Sequence, residues 1–458
     1  MQILKMEDIF EFIRAHGEDD TSRLLLGKAK WPDIDMDLVV NTIEGRRRIS
    51  VKVPEWADRE DLLYPTRLCT EQCSSSATAE YKCMVLKSLQ GDCAAGKNAA
   101  SGHGPFYDDA GGMEDSGNLK TSACNLIIAD LTGGLGVDSW FFSRFAEKVL
   151  YNEMDPLLAT AAERNFKALG ACNITVRNFR LEPGCAKEIL GGLKPDIIFL
   201  DPARRASDGR KVFRIEDCTP DVMSLKEELL GLAPSLVLKL SPMADISNVV
   251  KSLGHVTEVH CIGAAGECKE LLVVMERAAG DAAEPDIVVA DENGEAMRFR
   301  PSEEKAASVV LQDELPQGGL MFEPSKAVAK AGCFRLLCNR LGLRKIGRST
   351  HLYIVPDDLL AAGQAAGLRR LGKLFEIKEI RPLNNRSIKE LASEYPGADI
   401  SARNLPMDTA ALTKKMYSGK RTVAGNTLNT HIFGVRADFS CSNSANYLLV
   451  TRPVQSDR

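Results

Sequence analysis

Apolar residues recur along the chain at two spacings, and the switches between them mark out the elements. Over residues 33–53, Ile34, Met36, Val39, Val40, Ile43 and Ile49 fall near a 3.6-residue period, which predicts a helix. The whole of residues 1–90 reads as a helical N-terminal region. Residues 91–121 are rich in Gly, Ala, Ser and Asp and carry no apolar period, so they are expected to be a flexible insertion or linker. From 122 to 278 short apolar runs alternate with helical stretches. Seven strands are predicted, at 126–129, 149–151, 174–176, 196–200, 236–240, 256–262 and 271–275. Repeated βα units ending in a closely linked strand pair describe an α/β fold: a doubly wound, Rossmann-like sheet with helices on both faces. Beyond it, residues 287–300 predict a hairpin turning at Glu292-Asn293-Gly294, and residues 324–343 a single helix. Two small α+β domains are expected there, 279–365 and 366–458.

Length and composition narrow this picture. A chain of 458 residues is too long for one core and implies three or four domains. No apolar run approaches the ~20 residues that span a bilayer, and the first fourteen residues mix Lys5, Glu7, Asp8 and Glu11 with apolar ones, unlike a secretory signal. A cytoplasmic location without membrane association is the expectation. Thirteen irregularly spaced cysteines do not describe a disulfide framework. The tightest group, Cys69, Cys73 and Cys83, lacks a CxxC pair and a nearby histidine, so buried thiols are favoured over zinc and no metal is expected. The net charge of −5 is unevenly spread: residues 368–458 carry 15 Lys and Arg against 8 Asp and Glu, the remainder 43 against 55. A basic terminal region on an acidic body suits a polyanionic partner, or is simply a solvated surface.

Candidate chemistry gathers at three strand ends. Asp130-Leu131-Thr132-Gly133-Gly134-Leu135-Gly136-Val137-Asp138 follows the first strand and opens a helix. Its glycines allow a tight turn and close approach of a ligand. Glu153, at the tip of the second strand, is placed to accept both ribose hydroxyls of an adenosine, with Met154 against the adenine. A nicotinamide-binding loop would read G-x-G-x-x-G, whereas here Ser139 stands at the third position, and Asp138 in the first helical turn would repel a diphosphate. A zwitterionic sulfonium ligand tolerates that carboxylate. The fourth strand runs into Asp201-Pro202-Ala203-Arg204-Arg205. There the Asp201 carboxylate and the Pro202 carbonyl can accept from an amino group and orient its nitrogen; alternatively the pair caps a turn.

These residues resemble the class I S-adenosylmethionine-dependent methyltransferases over roughly residues 121–277. The loop Asp130-x-Thr132-x-Gly134-x-Gly136-x-Asp138 is similar to that of several RNA methyltransferases, including a small-subunit rRNA guanine-N2 enzyme. The whole chain resembles a bacterial family with a methyltransferase core, a ferredoxin-like unit and a THUMP-like domain, through Glu71-Gln72-Cys73-Ser74-Ser75, 130–138, 201–205 and Arg403-Asn404-Leu405-Pro406. The resemblance implies S-adenosylmethionine as cofactor, held by Asp130, Thr132, Gly133, Gly134, Gly136, Asp138, Glu153 and Met154. Asn178, after the third strand, stands where an acidic residue often meets the adenine amine. Asp201 and Pro202 would be catalytic, with Arg204 and Arg205 binding substrate. The implied substrate is RNA, tRNA or rRNA, with an exocyclic guanine amine as one acceptor. Base amino-methyltransferases usually follow Asp-Pro with Pro and an aromatic, whereas Ala203 and Arg204 stand here. Methylation at uridine C5 is disfavoured because Lys239-Leu240-Ser241-Pro242 offers no cysteine after the fifth strand. A non-catalytic RNA-binding module with a relic pocket, and a protein or small-molecule methyltransferase, are the other function classes.

Overall fold

In the computed structural model, the structure describes residues 6–94, 125–204, 215–280, 284–361, 365–417, 429–439 and 444–454. Most of the expected 91–121 insertion lies outside them. The described residues divide into two compact units, fewer than length suggested. One comprises residues up to Val259 together with Glu270–Pro285; the other comprises His260–Lys269 and the residues from Asp286 onward.

The first unit is built on β1 (Ile127–Asp130), β2 (Lys148–Asn152), β3 (Ile174–Arg177), β4 (Ile197–Leu200), β5 (Ser235–Leu240) and most of β6 (Val256–Ala264) and β7 (Glu267–Glu276), whose linked ends, His260–Lys269, fall in the second unit. Their order is β6-β7-β5-β4-β1-β2-β3. The first five strands pair in parallel, and β7 runs antiparallel to β5 with Leu240 opposite Leu271. All four residues of β4 are buried, as a central strand covered on both faces requires, while β3 alternates half-buried and exposed positions as an edge. Chain order reverses between β1 and β4. In open α/β sheets that switch point leaves a crevice at the carboxyl ends of the strands, where ligands bind.

The N-terminal helices belong to this unit. Asp35 caps the Met36–Lys52 helix by accepting from Leu38 N–H at 3.0 Å, and Met36, Val39, Val40, Ile43 and Ile49 form its buried stripe. The basic residues at its far end hold neighbouring segments: Arg48 pairs with Glu44 and donates to Thr70 Oγ1 at 3.1 Å, and Lys52 donates to the Thr70 carbonyl at 3.1 Å. The helix thereby fixes the short Arg67–Gln72 helix. A second anchor is Asn165, wholly buried on the Pro156–Ala168 helix. It accepts from Leu63 N–H and donates to the Leu63 carbonyl, each at 2.9 Å.

The second unit holds a hairpin, β8 (Asp286–Asp291) and β9 (Gly294–Phe299), and a seven-stranded sheet. Its strands are β10 (Leu320–Pro324), β11 (Arg344–Gly347), β12 (Thr350–Val355), β13 (Gly372–Pro382), β14 (Asp399–Arg403), β15 (His431–Ala437) and β16 (Ala445–Pro453), ordered β11-β12-β10-β13-β16-β15-β14. The expected boundary near residue 365 therefore falls within one sheet, whose core includes Met321, Leu352, Phe375, Ile377, Phe433 and Leu449. The single helix expected over 324–343 is instead two, Lys326–Ala331 and Leu336–Leu341. Gly332, at φ +79°, ends the first in a left-handed cap that the apolar period does not reveal. Among the described residues no helix is long and apolar enough to cross a membrane.

Asn165→Leu should strand the backbone N–H and carbonyl of Leu63 in the core. We expect a loss of about 2–4 kcal/mol in urea unfolding; an unchanged midpoint would show that the anchor is dispensable.

Candidate active site

A cavity of about 800 Å³ opens at the carboxyl ends of β1, β2, β4 and β5, within the first unit. Its floor is the loop 130–138, its sides Glu153, Met154, Asp155, Asp201 and Lys239, and one wall comes from Thr66 to Ser74 of the N-terminal region. Phe179, Leu181 and Pro183, just after β3, add apolar surface.

The glycine loop is shaped from below. A Cβ at Gly133 would lie 2.0 Å from the Tyr151 ring, so only glycine fits there, and the Tyr151 hydroxyl donates to the Gly134 carbonyl at 2.5 Å. Gly136, at φ +89°, would drive a Cβ to 2.5 Å from the Phe166 ring. The three glycine amides are all used within the protein: Gly133 N–H donates to the Asn152 carbonyl (2.8 Å), Gly134 N–H to Glu153 Oε2 (2.8 Å) and Gly136 N–H to the Gly133 carbonyl (2.9 Å). They do not point outward as a phosphate cradle would. Glu153 also accepts from Asp155 N–H through Oε1 at 2.9 Å, which fixes its rotamer; a carboxylate has about four acceptor positions, so both oxygens keep capacity for a ligand.

Asp130 is buried beneath the loop, where it accepts from Ser139 Oγ–H at 2.6 Å and Thr132 N–H at 3.1 Å. Burial pushes its carboxyl up to about 7, against those hydrogen bonds, and the Asp138 charge adds to the rise. Thr132 ties the loop to β4, its Oγ1 accepting from Asp201 N–H at 2.6 Å.

Behind these groups lies an ionic cluster. Lys82, wholly buried on the Ser76–Ala94 helix, contacts Asp138 Oδ1 at 3.0 Å and Glu270 Oε1 at 2.9 Å, and donates to Ser74 Oγ at 2.8 Å. Lys239, on β5, pairs with Asp201 Oδ2 at 2.6 Å, lies 4.0 Å from Glu270 Oε2 and donates to Ser74 Oγ at 3.4 Å. Ser74 donates to Asp138 Oδ2 at 2.8 Å, so its hydroxyl is satisfied both as donor and as acceptor. Burial opposes the Lys239 charge, yet Asp201, Glu270 and Asp138 together raise its pKa above the usual lysine value. Burial likewise opposes the Asp138 charge, and Lys82 and Lys239 nonetheless hold its pKa below the usual aspartate value.

The arrangement matches a known structure over its whole length. The crystal structure of a putative methyltransferase from Porphyromonas gingivalis W83 superposes with a TM-score of 0.73 at 28% identity, covering 98% of each chain. The first unit has the fold of the class I methyltransferases. Lower-scoring matches include an rRNA methylase from Streptococcus thermophilus (TM-score 0.25, 14% identity, 33% of this chain and 86% of that one). A putative methyltransferase from Streptococcus mutans in complex with SAH is also matched (0.24, 17%, 33% and 88%). A ferredoxin-like domain family matches residues 321–358, and no curated protein matches the chain.

Within this unit of methyltransferase fold, Asp130, Thr132, Gly133, Gly134, Gly136, Asp138, Glu153, Met154 and Asp201 all line the one cavity. Others do not. Asn178 is absent from the lining and donates to the Glu153 carbonyl at 2.6 Å, bracing the β2 tip. Pro202 is buried between two lining residues. The backbone of Arg204 pairs with Cys218; its side chain, and all of Arg205, lie outside the described residues. Asp138 needs a correction too: Lys82 neutralises it, so its charge does not repel a diphosphate, and the inward-bonded glycine amides are the reason the loop is unsuited to one. Sequence reasoning missed Ser74, Lys82, Lys239 and Glu270. The signal was a charge set inside or beside apolar runs, as in Leu236-Val237-Leu238-Lys239-Leu240 and Glu270-Leu271-Leu272-Val273. Cys69, Cys73 and Cys83 are free thiols, and among the described residues no His, Cys, Asp and Glu group is placed to hold a metal.

A carboxyl whose pKa is higher folded than unfolded favours the fold in its protonated form. For Asp130 that contribution is complete below pH 3.8 and is lost as pH rises through about 7. Asn mimics the protonated acid at every pH. Measured by urea unfolding, wild type should lose stability relative to Asp130→Asn between pH 4 and pH 7, by on the order of 4 kcal/mol at about 1.4 kcal/mol per pKa unit. A difference that does not vary with pH would contradict this.

Proposed function

We propose that the first unit is an S-adenosylmethionine-dependent methyltransferase and that RNA carries the acceptor. The observation that carries this reading is convergence: the glycine loop, the Glu153 carboxylate and the Asp201–Lys239 pair face one cavity at the sheet's switch point. The cavity residues fit the methyl donor. Space lies open beside Gly134, where no atom comes within 4 Å of a Cβ position. Glu153 is fixed to accept ribose hydroxyls, and the half-exposed Met154 offers an apolar face for adenine. When bound, S-adenosylmethionine supplies an activated methyl carbon, so the protein's task is positioning, exclusion of water and removal of one proton. Thr132 and Lys239 fix Asp201 through its backbone and its carboxylate, and Asp201 faces the cavity.

RNA is favoured by the charge excess of residues 368–458 and by the family resemblance. Part of that excess is internally paired: Arg370 with Asp291, Arg381 with Glu379 and Glu394, Arg386 with Glu390, and Arg403 with Glu323. Lys373, Lys389, Lys414, Lys415 and Arg452 remain as exposed cations for phosphate contact. A THUMP-like role for this region belongs to the same proposal.

Calorimetry with S-adenosylmethionine should give one site, and Glu153→Ala should weaken it about tenfold or more, since a lost charge-assisted hydrogen bond exceeds roughly 1.4 kcal/mol. Absent heat in wild type would instead indicate a relic pocket. RNA affinity should fall steeply between low and physiological salt; affinity without salt dependence, or none, would move the acceptor to a protein or small molecule.

A further inference from the structure

We propose that the acceptor is a hydroxyl, the 2′-hydroxyl of a ribose in RNA, received between Lys239 and Asp201, with Lys82, Glu270 and Ser74 as positioning residues behind them. This rests on the methyltransferase reading above and specifies its acceptor.

The argument starts from what the two facing groups can receive. An ammonium offers three N–H donors and no acceptor. Lys239 directs donors to Asp201 and Ser74 while lining the cavity, leaving donor capacity for a ligand there. An exocyclic base amine presents N–H groups of its own, so beside Lys239 donor would meet donor. Lys239 engages only Oδ2 of Asp201, so the carboxylate can accept from either group; the discrimination comes from Lys239, because an amine delocalised into its base has no lone pair to accept from an ammonium. A hydroxyl fits both partners: one lone pair accepts from Lys239, the O–H donates to Asp201, and the other lone pair is free to attack.

The second strand of the argument is burial. Side-chain exposure rises in order through the cluster: 0% at Lys82, 6% at Glu270, 11% at Lys239 and 38% at Asp201. Buried ion pairs cost desolvation and are weak contributors to stability. A chain of them ending at a half-open carboxylate in a cleft is instead the signature of a functional site. The raised pKa of Lys239 keeps it cationic, which excludes it as a base and suits it to stabilise negative charge building on an alcohol oxygen.

The step balances. The hydroxyl oxygen forms a bond to the methyl carbon as the carbon–sulfur bond breaks, and that bond's electron pair stays on sulfur, which becomes a neutral thioether. The hydroxyl proton passes to the Asp201 carboxylate and from there to solvent. No oxidant, reductant or metal takes part.

The test uses the full chain, methyl-labelled S-adenosylmethionine and unmodified ribosomal and transfer RNA transcribed in vitro. Label should be recovered in 2′-O-methylnucleosides, as dinucleotides that survive alkali. Label in a base-methylated nucleoside would overturn the hydroxyl acceptor and leave RNA methylation standing. No label in RNA, with the heat of S-adenosylmethionine binding intact, would overturn the RNA reading and this proposal with it. Lys239→Met should lower turnover by roughly 100-fold or more while the cofactor dissociation constant stays within about twofold. In Asp201→Asn the residual rate should climb about tenfold per pH unit, as hydroxide replaces the carboxylate as proton acceptor. A merely structural Asp201 would lose rate without that pH dependence.

Discussion

Two lysines buried among three carboxylates hold the first unit of this chain together. Lys82 comes from a helix preceding the sheet, Asp138 from the helix after the glycine loop, Asp201 follows β4, Lys239 is on β5 and Glu270 on β7. No two belong to the same element, so the ionic contacts fix the relative placement of five segments. In a low-dielectric interior an unpaired member is strongly destabilising, by about 3–5 kcal/mol where one partner of a buried pair is removed. The constraint therefore runs in both directions. The sheet must form for the lysines to be tolerated, and the lysines must be in place for the buried Asp138 to hold its charge.

The glycine loop depends on the same logic of internal satisfaction. Its glycine amides are bonded to Asn152, Glu153 and Gly133, and its carbonyl at Gly134 to Tyr151. Such a loop does not rearrange to embrace a ligand; it presents a finished surface. Asn152 ties it onward to the segment after β3, donating to the Leu131 and Phe179 carbonyls and accepting from Phe179 N–H. One carboxylate, Glu153, is both part of this scaffold and part of the cavity lining. Its orientation is thus settled before any ligand arrives, which is what preorganised recognition requires.

The α/β alternation was legible in the sequence because β4 and β5 are short apolar runs flanked by prolines and β1 is one followed by glycines, and the Asp-Leu-Thr-Gly-Gly and Asp-Pro turns could be placed on strand tips from spacing alone. The cluster was not legible. Lys82 lies in a helix more than forty residues before β1, and Glu270 nearly seventy residues after Asp201. Nothing in local pattern says which distant charge meets which. The contribution of the N-terminal helices to the cavity was hidden for the same reason: Asn165 holding Leu63, and Lys52 holding Thr70, are long-range contacts between polar groups that periodicity does not encode. The break at Gly332 was missed differently, since a helical period survives across a left-handed cap that only the backbone shows.

The sequence departure that looked most damaging to a catalytic reading was the absence of an aromatic after Asp-Pro. Structure changes its meaning. An aromatic there would serve to stack a base whose amine must be presented in plane. An acceptor on the sugar makes no such demand, because the base need not enter the site at all. What it does demand is a cation to hold the oxygen and a carboxylate to take its proton, fixed relative to each other. In the proposed reading that pair is Lys239 and Asp201, 2.6 Å apart and braced from behind by Glu270 and Ser74. Under the proposed hydroxyl acceptor, the missing aromatic and the unexpected lysine are two consequences of one chemistry rather than two separate anomalies.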